Sequence, residues 1–226
     1  TGLANRVFFR ECFELALAEQ ETSAGMAVLC MDLDGFKAVN DTFGHPTGDA
    51  LLRQVSTRLA QVVRASDILA RLGGDEFAII QPLSKSTDDA VALARRIIDT
   101  LAQPFSIEGV TVVIGVSVGI AFAPKDGTSA DELIKAADIA LYSAKASGRG
   151  TYRCFDQAMH AHLQVNQQLI ADMCKVLEHG ELEIHYQPLV NFQTRQVTGC
   201  EALLRWFDFD RGTIPSSEFI PIAEET

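Results

Sequence analysis

The chain has 226 residues, of which 47% are hydrophobic and 22% are charged, as in ordinary folded proteins. This length can bury one large hydrophobic core or two smaller ones. The formal net charge of −11 argues against a nucleic-acid partner or an anionic membrane surface, because both require a basic protein surface. A phosphate ligand remains compatible with this charge, since a few local cations or a bound metal can reverse the field at one site.

Cysteine usage and hydropathy indicate the compartment. The five cysteines are scattered without Cys-x-x-Cys spacing, which predicts reduced thiols and a cytoplasmic location. The longest apolar run, residues 109–124, is shorter than the roughly 20 residues of a membrane-spanning helix, so we expect no direct membrane contact. Because the chain begins at Thr1 and ends without a closing element, we expect a piece of a longer protein, whose missing N-terminal region could carry a membrane anchor.

Apolar periodicity predicts the order α-β-α-α-β-β-α-β-β-α over the first 150 residues. Predicted helices cover residues 5–19, 36–43, 48–64, 87–101 and 129–145, and predicted strands cover residues 26–33, 68–72, 77–80, 105–107 and 110–123. Thr87 is expected to cap one helix, and Ser129 with Glu132 forms a capping-box pattern at the start of another. This order favours an α+β domain with one mixed sheet covered by helices.

The pattern changes after about residue 152. Residues 156–180 show apolar side chains at helical spacing and predict an amphipathic connector helix. Residues 182–190 and 197–207 read as two strands that open a second domain. We therefore predict a first domain at residues 1–155, a connector at 156–180 and a domain fragment at 181–226.

The most unusual stretch is a predicted hairpin tip formed by Gly73 and Gly74 and followed by Asp75 and Glu76. A bare Gly-Gly backbone lets a ligand approach closely, and adjacent carboxylates can hold a divalent cation that a phosphate shares. The alternative is a solvated hairpin whose acids have no function.

Two further carboxylates, Asp32 and Asp34, flank Leu33 at the end of a predicted strand and point the same way. If that strand lies beside the Gly-Gly hairpin, Asp32 and Asp75 converge. Two carboxylates and a backbone carbonyl are the oxygen ligands that Mg²⁺ prefers, which favours metal-assisted phosphoryl or nucleotidyl transfer. Ordinary acids at a strand end are the alternative.

Polar residues elsewhere suit a guanine nucleotide. An amide and a carboxylate, Asn40 and Asp49, could select guanine, although both could instead cap helices. Lys145 and Arg149 bracket Gly148 at a predicted helix end, where cations favour the helix dipole and could also reach phosphates.

Five blocks of the sequence resemble the GGDEF-type diguanylate cyclases, in order and at the family's spacing, from Thr1 to about Phe155. The blocks are Asp32–His45 (DLDGFKAVNDTFGH), Gly48-Asp49, Arg71–Phe77 (RLGGDEF), Val116–Ala121 (VSVGIA) and Ala137–Arg149. The resemblance implies a fold similar to nucleotide cyclase and polymerase palm domains. It also implies condensation of two GTP into cyclic di-GMP with loss of two pyrophosphates. Because each subunit would carry one GTP, the resemblance further implies a homodimer.

The resemblance also implies roles for individual residues. Asp32, the Leu33 carbonyl and Asp75 would hold Mg²⁺ (or Mn²⁺), and Glu76 would assist metal binding or deprotonate the 3′-hydroxyl. The resemblance implies that guanine is bound by Asn40 and Asp49 and that GTP lies close to the backbone of Gly73 and Gly74. Contacts with the phosphates, or contacts that order the pocket, would come from Lys37, His45, Lys145 and Arg149. One departure is Gly150, where the family usually has Asn.

A possible regulatory site precedes the hairpin. Arg64 and Asp67 match the family's RxxD product-inhibition motif, which Arg95 or Arg96 on the next helix would complete. An arginine fork suits a phosphate or the Hoogsteen edge of guanine. A surface salt pair is the alternative reading of so short a motif.

The C-terminal part resembles the first strands of an EAL-type cyclic di-GMP phosphodiesterase, and so of an incomplete TIM-like barrel. Glu201 would be one metal ligand, with Gln187 and Arg205 near the substrate. Two strands cannot close a barrel, so we expect no phosphodiesterase activity from this fragment. The alternative to an active cyclase is a catalytically silent module that binds GTP or cyclic di-GMP and controls an attached EAL domain. A third reading is a cyclic di-GMP receptor acting through Arg64 and Asp67.

Overall fold

The computed structural model describes residues 1–19, 25–83, 86–209 and 211–225. The chain divides into two compact units, Thr1–Met159 and His160–Thr226. In chain order the elements are α1 (Arg6–Glu19), β1 (Met26–Asp34), α2 (Phe36–Phe43), α3 (His45–Val62), β2 (Ile68–Gly73), β3 (Glu76–Pro82), α4 (Asp88–Leu101), β4 (Phe105–Ile107), β5 (Val110–Val112), β6 (Gly115–Ala123), α5 (Ala130–Ala146), β7 (Tyr152–Cys154), α6 (Gln157–His179), β8 (Leu182–Val190), β9 (Val197–Asp208), β10 (Gly212–Ile214) and α7 (Ser216–Glu225).

A five-stranded sheet in the order β2-β3-β1-β6-β7 forms the centre of the first unit. β1 pairs antiparallel with β3 and β6, whereas β7 pairs parallel with β6. The parallel pair needs a crossover, which α5 provides. A mixed sheet flanked by helices confirms the predicted α+β fold.

Both faces of β1 are buried over Met26–Met31, which explains the uninterrupted apolar sequence of that stretch. Side chains at odd positions from Ala27 to Leu33 pack in a cluster with α2, α3 and α4. Those at even positions from Met26 to Cys30 pack in a second cluster with α1 and α5. Because strand side chains alternate, Asp32 and Asp34 continue the row that faces α5.

Helix α5 packs directly on the backbone of β6. An ideal Cβ built on Gly119 would lie 2.0 Å from the Ala137 carbonyl oxygen and 2.3 Å from the Leu141 amide nitrogen. The start of α5 has the predicted capping box, in which the side chains of Ser129 and Glu132 each accept from the other's backbone N–H. The capping box thus defines the start of α5, and the close contact at Gly119 sets the distance of the helix from β6.

Some predicted boundaries were wrong. The predicted strand 110–123 is two strands, because β5 pairs with β4 in a separate two-stranded sheet before the chain enters β6. Thr87 precedes α4 but makes no side-chain cap bond, and the Ser86 hydroxyl accepts from the Asp88 N–H instead. Helix α3 starts at His45 rather than Gly48, since Pro46 is well suited to a first helical turn.

The second unit contains most of α6, a three-stranded sheet in the order β10-β9-β8, and α7. Its small core centres on Trp206, which packs edge-on against Phe219 and donates to the Glu181 carboxylate at 3.0 Å. This sheet does not close into a barrel. No helix among the residues placed by the structure combines the length and apolar character needed to cross a membrane.

Candidate functional site

The register of the central strands brings the predicted acidic residues together. Asp32 on β1 lies opposite Glu76 on β3 and opposite Ser117 on β6. The turn containing Asp75 connects β2 to β3, so it lies beside the end of β1. The predicted metal site requires β1 to lie beside the Gly-Gly hairpin, and this strand pairing meets that requirement.

The hairpin tip presents open backbone. A Cβ built on Gly73 or Gly74 would meet no atom within 4 Å, so internal packing does not require glycine at either position. The Arg71 side chain donates from Nε to the Gly74 carbonyl at 2.9 Å, which holds the turn closed. Gly74 has a φ of 48°, in the left-handed region where glycine is favoured. This backbone leaves room for a ligand.

Asp32 has a cationic partner within the chain. Lys145, in the last turn of α5, places Nζ 2.8 Å from Oδ2 of Asp32, whose side chain is only 18% exposed. Burial raises the pKa of Asp32, and the neighbouring Asp75 and Asp34 raise it further, whereas Lys145 opposes the shift. A cation at this position therefore stabilises the ionised carboxylate.

The donor set fits a magnesium ion that shares its coordination with a nucleotide. No group of three or more His, Cys, Asp or Glu side chains among the described residues could hold a metal by itself. The predicted set has two carboxylates, Asp32 and Asp75, and the Leu33 carbonyl. Mg²⁺ commonly binds through one or two carboxylates and takes its other ligands from water and substrate phosphates.

The predicted guanine-binding residues lie on adjoining helices. Asn40 lies on α2, and its Oδ1 would be only 1.9 Å from a Cβ built on Gly48, beside the exposed Asp49 on α3. The N-caps of α2 and α3 are Gly35 and Gly44, so Asn40 and Asp49 cap neither helix. The sequence pattern predicts a helix that begins at Gly48, so it does not indicate that this glycine lies inside α3 and makes room for Asn40.

The loop after α5 has an unusual backbone. Gly148, Arg149 and Gly150 have φ values of 104°, 60° and 58°. At Gly150 the left-handed conformation suits glycine, and asparagine tolerates it better than most residues, which explains the departure from the family pattern. Arg149 itself is exposed. The other predicted phosphate or pocket residues, Lys37 on α2 and His45 at the start of α3, are also exposed.

The N-terminal segment contacts the hairpin through residues that the sequence did not single out. Arg6 places Nη2 3.1 Å from the Glu76 carboxylate and directs Nε toward the Leu72 carbonyl at 3.4 Å. The Arg71 N–H donates to the Ala4 carbonyl at 3.0 Å. These partners are about 70 residues apart in the chain, and no local motif indicates them.

The two members of the RxxD motif interact locally. The Arg64 N–H donates to the Asp67 carboxylate at 2.8 Å. The Arg64 guanidinium lies 3.6 Å from the Asp89 carboxylate on α4, and it remains about half exposed. The Arg64 guanidinium thus pairs with Asp89 on α4, whereas its contact with Asp67 is made by the backbone N–H, and the side chain stays accessible to a ligand.

The two arginines considered as the third member of this site point to different places. Arg96 donates to the Val62 carbonyl at the end of α3, close to Arg64 in the chain. Arg95 donates to the Tyr152 hydroxyl at 3.0 Å and lies over that ring. The structure therefore brings Arg96, rather than Arg95, to the end of α3.

Two of the three predicted EAL residues are neighbours in the second unit. Gln187 on β8 lies directly opposite Glu201 on β9, and both are exposed. Arg205 lies on the same face of β9 as Glu201, four residues further along, and pairs in register with Glu183.

Curated relatives match the whole chain. The chain is 46% identical over 226 residues to the uncharacterized protein y4lL of Sinorhizobium fredii, covering 100% of this chain and 27% of the relative. It is 42% identical over 227 residues to the bifunctional diguanylate cyclase/cyclic di-GMP phosphodiesterase MucR of Pseudomonas aeruginosa, covering 100% of this chain and 33% of the relative. The chain therefore spans about a third or less of the length of these proteins.

A solved structure and two family models also match parts of this chain. The GGDEF domain of TpbB (YfiN) from Pseudomonas aeruginosa superposes with a TM-score of 0.71 at 37% identity, covering 73% of this chain and 96% of that chain. Residues 168–226 match the EAL domain model. Residues 1–151 match the model described as diguanylate cyclase, GGDEF domain. The chain belongs to the GGDEF diguanylate cyclase family.

Proposed function

We propose that the unit Thr1–Met159 condenses two GTP molecules into cyclic di-GMP, releasing two pyrophosphates, as a homodimer that depends on Mg²⁺ or Mn²⁺. The observation that carries this proposal is the β1–β3 register, which sets Asp32 opposite Glu76 beside the open tip at Gly73 and Gly74. That arrangement combines carboxylate oxygens with backbone that a triphosphate can approach.

Asp32, the Leu33 carbonyl and Asp75 would hold the metal. When bound, Mg²⁺ supplies positive charge to the α-phosphate and to the leaving pyrophosphate. Lys145, which pairs with Asp32, would contact a phosphate oxygen of the bound nucleotide. Arg149, exposed in the following loop, supplies a second cation on the phosphate side.

The reaction needs a nucleophile from a second nucleotide. The 3′-hydroxyl oxygen of one GTP bonds to the α-phosphorus of the other, and the bond from that phosphorus to pyrophosphate breaks. Glu76 is exposed at the start of β3 and accepts the hydroxyl proton in this proposal. Each chain offers one set of these groups, so two chains must face each other for the ring to close in two such steps.

Base selection and feedback complete the proposal. Asn40 and Asp49 would read the guanine edge, because an amide both donates and accepts while a carboxylate accepts from the guanine N–H groups. Arg64, still half exposed beside Asp89, would bind cyclic di-GMP at the RxxD motif and inhibit synthesis.

The test is chromatography of the chain after incubation with GTP and Mg²⁺ at high protein concentration, with the oligomeric state measured in the same sample. We expect cyclic di-GMP and pyrophosphate from the wild type and at least a hundredfold loss in Asp75→Ala. Asp99→Ala, which removes an exposed aspartate on α4, is the matched control and should retain activity.

GTP left unchanged by a sample shown to be dimeric would sink the proposal. Binding of GTP or cyclic di-GMP without turnover in that dimer would support the silent regulatory module. We propose no phosphodiesterase chemistry for residues 168–226, whose sheet has three strands and is open.

A further inference from the structure

Asp34 lies two residues beyond the proposed metal ligand Asp32 and on the same face of β1, yet its carboxylate is engaged elsewhere. Oδ1 accepts from the hydroxyl of the fully buried Ser117 at 2.7 Å. Oδ2 accepts from the Gly150 N–H at 2.9 Å. Both oxygens of Asp34 are therefore used to join β1 to β6 and to the loop that follows α5.

The surrounding chain makes room for this carboxylate. Gly115 is the register partner of Asp34 on β6, and a Cβ built there would lie 2.9 Å from Oδ2 of Asp34. A side chain at residue 115 would thus press on the oxygen that holds Gly150. Glycine at residue 115 therefore leaves the Asp34 carboxylate the space from which it accepts the Gly150 N–H.

The loop held by Asp34 needs an external restraint. Arg149 has a φ of 60° and lies between two glycines that also have positive φ. The left-handed region is unfavourable for a residue other than glycine, so this loop would relax toward other conformations without a tether. The Gly150–Asp34 bond is next to Arg149 in the chain and supplies that tether.

We propose that Asp34 is a positioning residue for the triphosphate of GTP, acting through Arg149 and not as a metal ligand. Its carboxylate holds Gly150, the residue next to Arg149, on the face of β1 where Lys145 pairs with Asp32. This inference rests on the proposed function, because it concerns how the cyclase site holds its substrate.

The test measures binding separately from turnover. Isothermal titration calorimetry of the whole chain, with Mg²⁺, uses a GTP analogue in which methylene replaces the α,β-bridging oxygen. We expect Asp34→Ala to weaken binding about tenfold and the double variant with Arg149→Ala to bind no more weakly than Arg149→Ala alone. Asp34→Asn, whose amide oxygen can still accept from Gly150, should stay within about threefold of the wild type.

A matched control distinguishes positioning from loss of stability. Asp126 is another carboxylate that accepts a backbone N–H, from Phe122 at 2.8 Å, and it lies at the far end of β6. Asp126→Ala should lower the thermal midpoint about as much as Asp34→Ala does, while binding of the analogue stays within about twofold. The Mn²⁺ concentration for half-maximal binding should be unchanged in Asp34→Ala.

Two results would overturn the inference. One is an additive loss of affinity in the Asp34→Ala/Arg149→Ala double variant, and the other is a tenfold shift in the Mn²⁺ midpoint, which would make Asp34 a metal ligand. A wild type that binds the analogue but makes no cyclic di-GMP from GTP would remove the proposed function alone. Cyclic di-GMP synthesis combined with additive losses would remove the positioning role alone.

Discussion

The contact between Asn40 and Gly48 means that the substitution Gly48→Ala would have two opposing effects. Alanine is better than glycine inside a helix by about 1 kcal/mol, so Gly48→Ala should favour α3. The added Cβ would, however, lie 1.9 Å from Oδ1 of Asn40. The far end of a flexible side chain can move, so the protein should fold while Asn40 leaves its place.

Gly48→Ala should therefore weaken GTP binding about fivefold to thirtyfold, which corresponds to one or two hydrogen bonds of about 1 kcal/mol each. The discrimination of GTP against ATP should fall as well. Calorimetric titration with both nucleotides, together with urea unfolding, measures affinity and stability.

The double variant Gly48→Ala/Asn40→Ala gives the decisive comparison. If the glycine acts only by making room for Asn40, this variant binds GTP as Asn40→Ala does. Losses that add would contradict the role assigned to Gly48.

Candidate site residues can be proposed from the sequence where the relevant side chains are contiguous in the chain. Asp75 and Glu76 stand beside two glycines, and that local pattern indicates a ligand site without any structure. The contacts of Arg6 with Glu76 and of Asp34 with Gly150 join residues 70 and 116 positions apart. No spacing rule reaches so far, so these contacts appear only once the strands are paired.

At the scale of elements, Gly119 decides how closely α5 approaches the sheet. The atoms that a Cβ would meet there belong to the backbone of α5, which cannot move aside as a side chain can. Overpacking of this kind typically lowers the free energy of unfolding by about 1–3 kcal/mol, and by more where the contacted atoms cannot move. Because α5 carries Lys145, the same displacement would alter the proposed nucleotide site.

We expect Gly119→Ala to lower the unfolding free energy of the first unit by at least about 2 kcal/mol and to reduce cyclase activity. Gly199→Ala is the matched control, since Gly199 also lies in a strand and its Cβ would meet only Leu189 Cδ1 at 3.8 Å. Circular dichroism follows the whole chain, and fluorescence of the single tryptophan, Trp206, follows the second unit.

A circular dichroism transition unchanged by Gly119→Ala would contradict the close packing of α5 on β6. A shift in the tryptophan transition for the same variant would show that its effect is not confined to the first unit.

Elements with a regular apolar period could be predicted from the sequence. Short strands, and runs in which the chain passes from one sheet to another, could not. β1 and α4 follow their patterns closely, because each contributes a long row of side chains to the core. The break between β5 and β6 depends on which sheet each segment joins, and β7 has three residues that become a strand only by pairing with β6. Tertiary pairing therefore determines these boundaries.

At the scale of the molecule, each unit has a core of its own. β7 and the residue after it complete the first unit, since the Phe155 N–H donates to the Ile120 carbonyl at 2.7 Å and its side chain packs with the α1 and α5 cluster. The first unit is thus complete only beyond β7, several residues after the last family motif, which ends at Arg149.

We predict that a fragment ending at Met159 unfolds cooperatively, whereas one ending at Gly150 is largely unfolded. The shorter fragment loses β7, one of the two partner strands of β6, and the packing of Tyr152, Cys154 and Phe155. Losing apolar contacts on this scale costs several kcal/mol, against a total stability of about 5–15 kcal/mol. Thermal melts of both fragments by circular dichroism provide the measurement, and equal midpoints would refute the prediction.

The central position of β1 has a consequence for synthesis on the ribosome. Its partner on one side, β3, follows about 50 residues later, and its partner on the other side, β6, follows about 90 residues later. At translation rates of about 5–20 residues per second, β1 waits roughly 5–20 seconds for its second neighbour. During that time one edge of a strongly apolar strand is open to pairing with other chains, so the rate of synthesis affects how much protein reaches the native sheet.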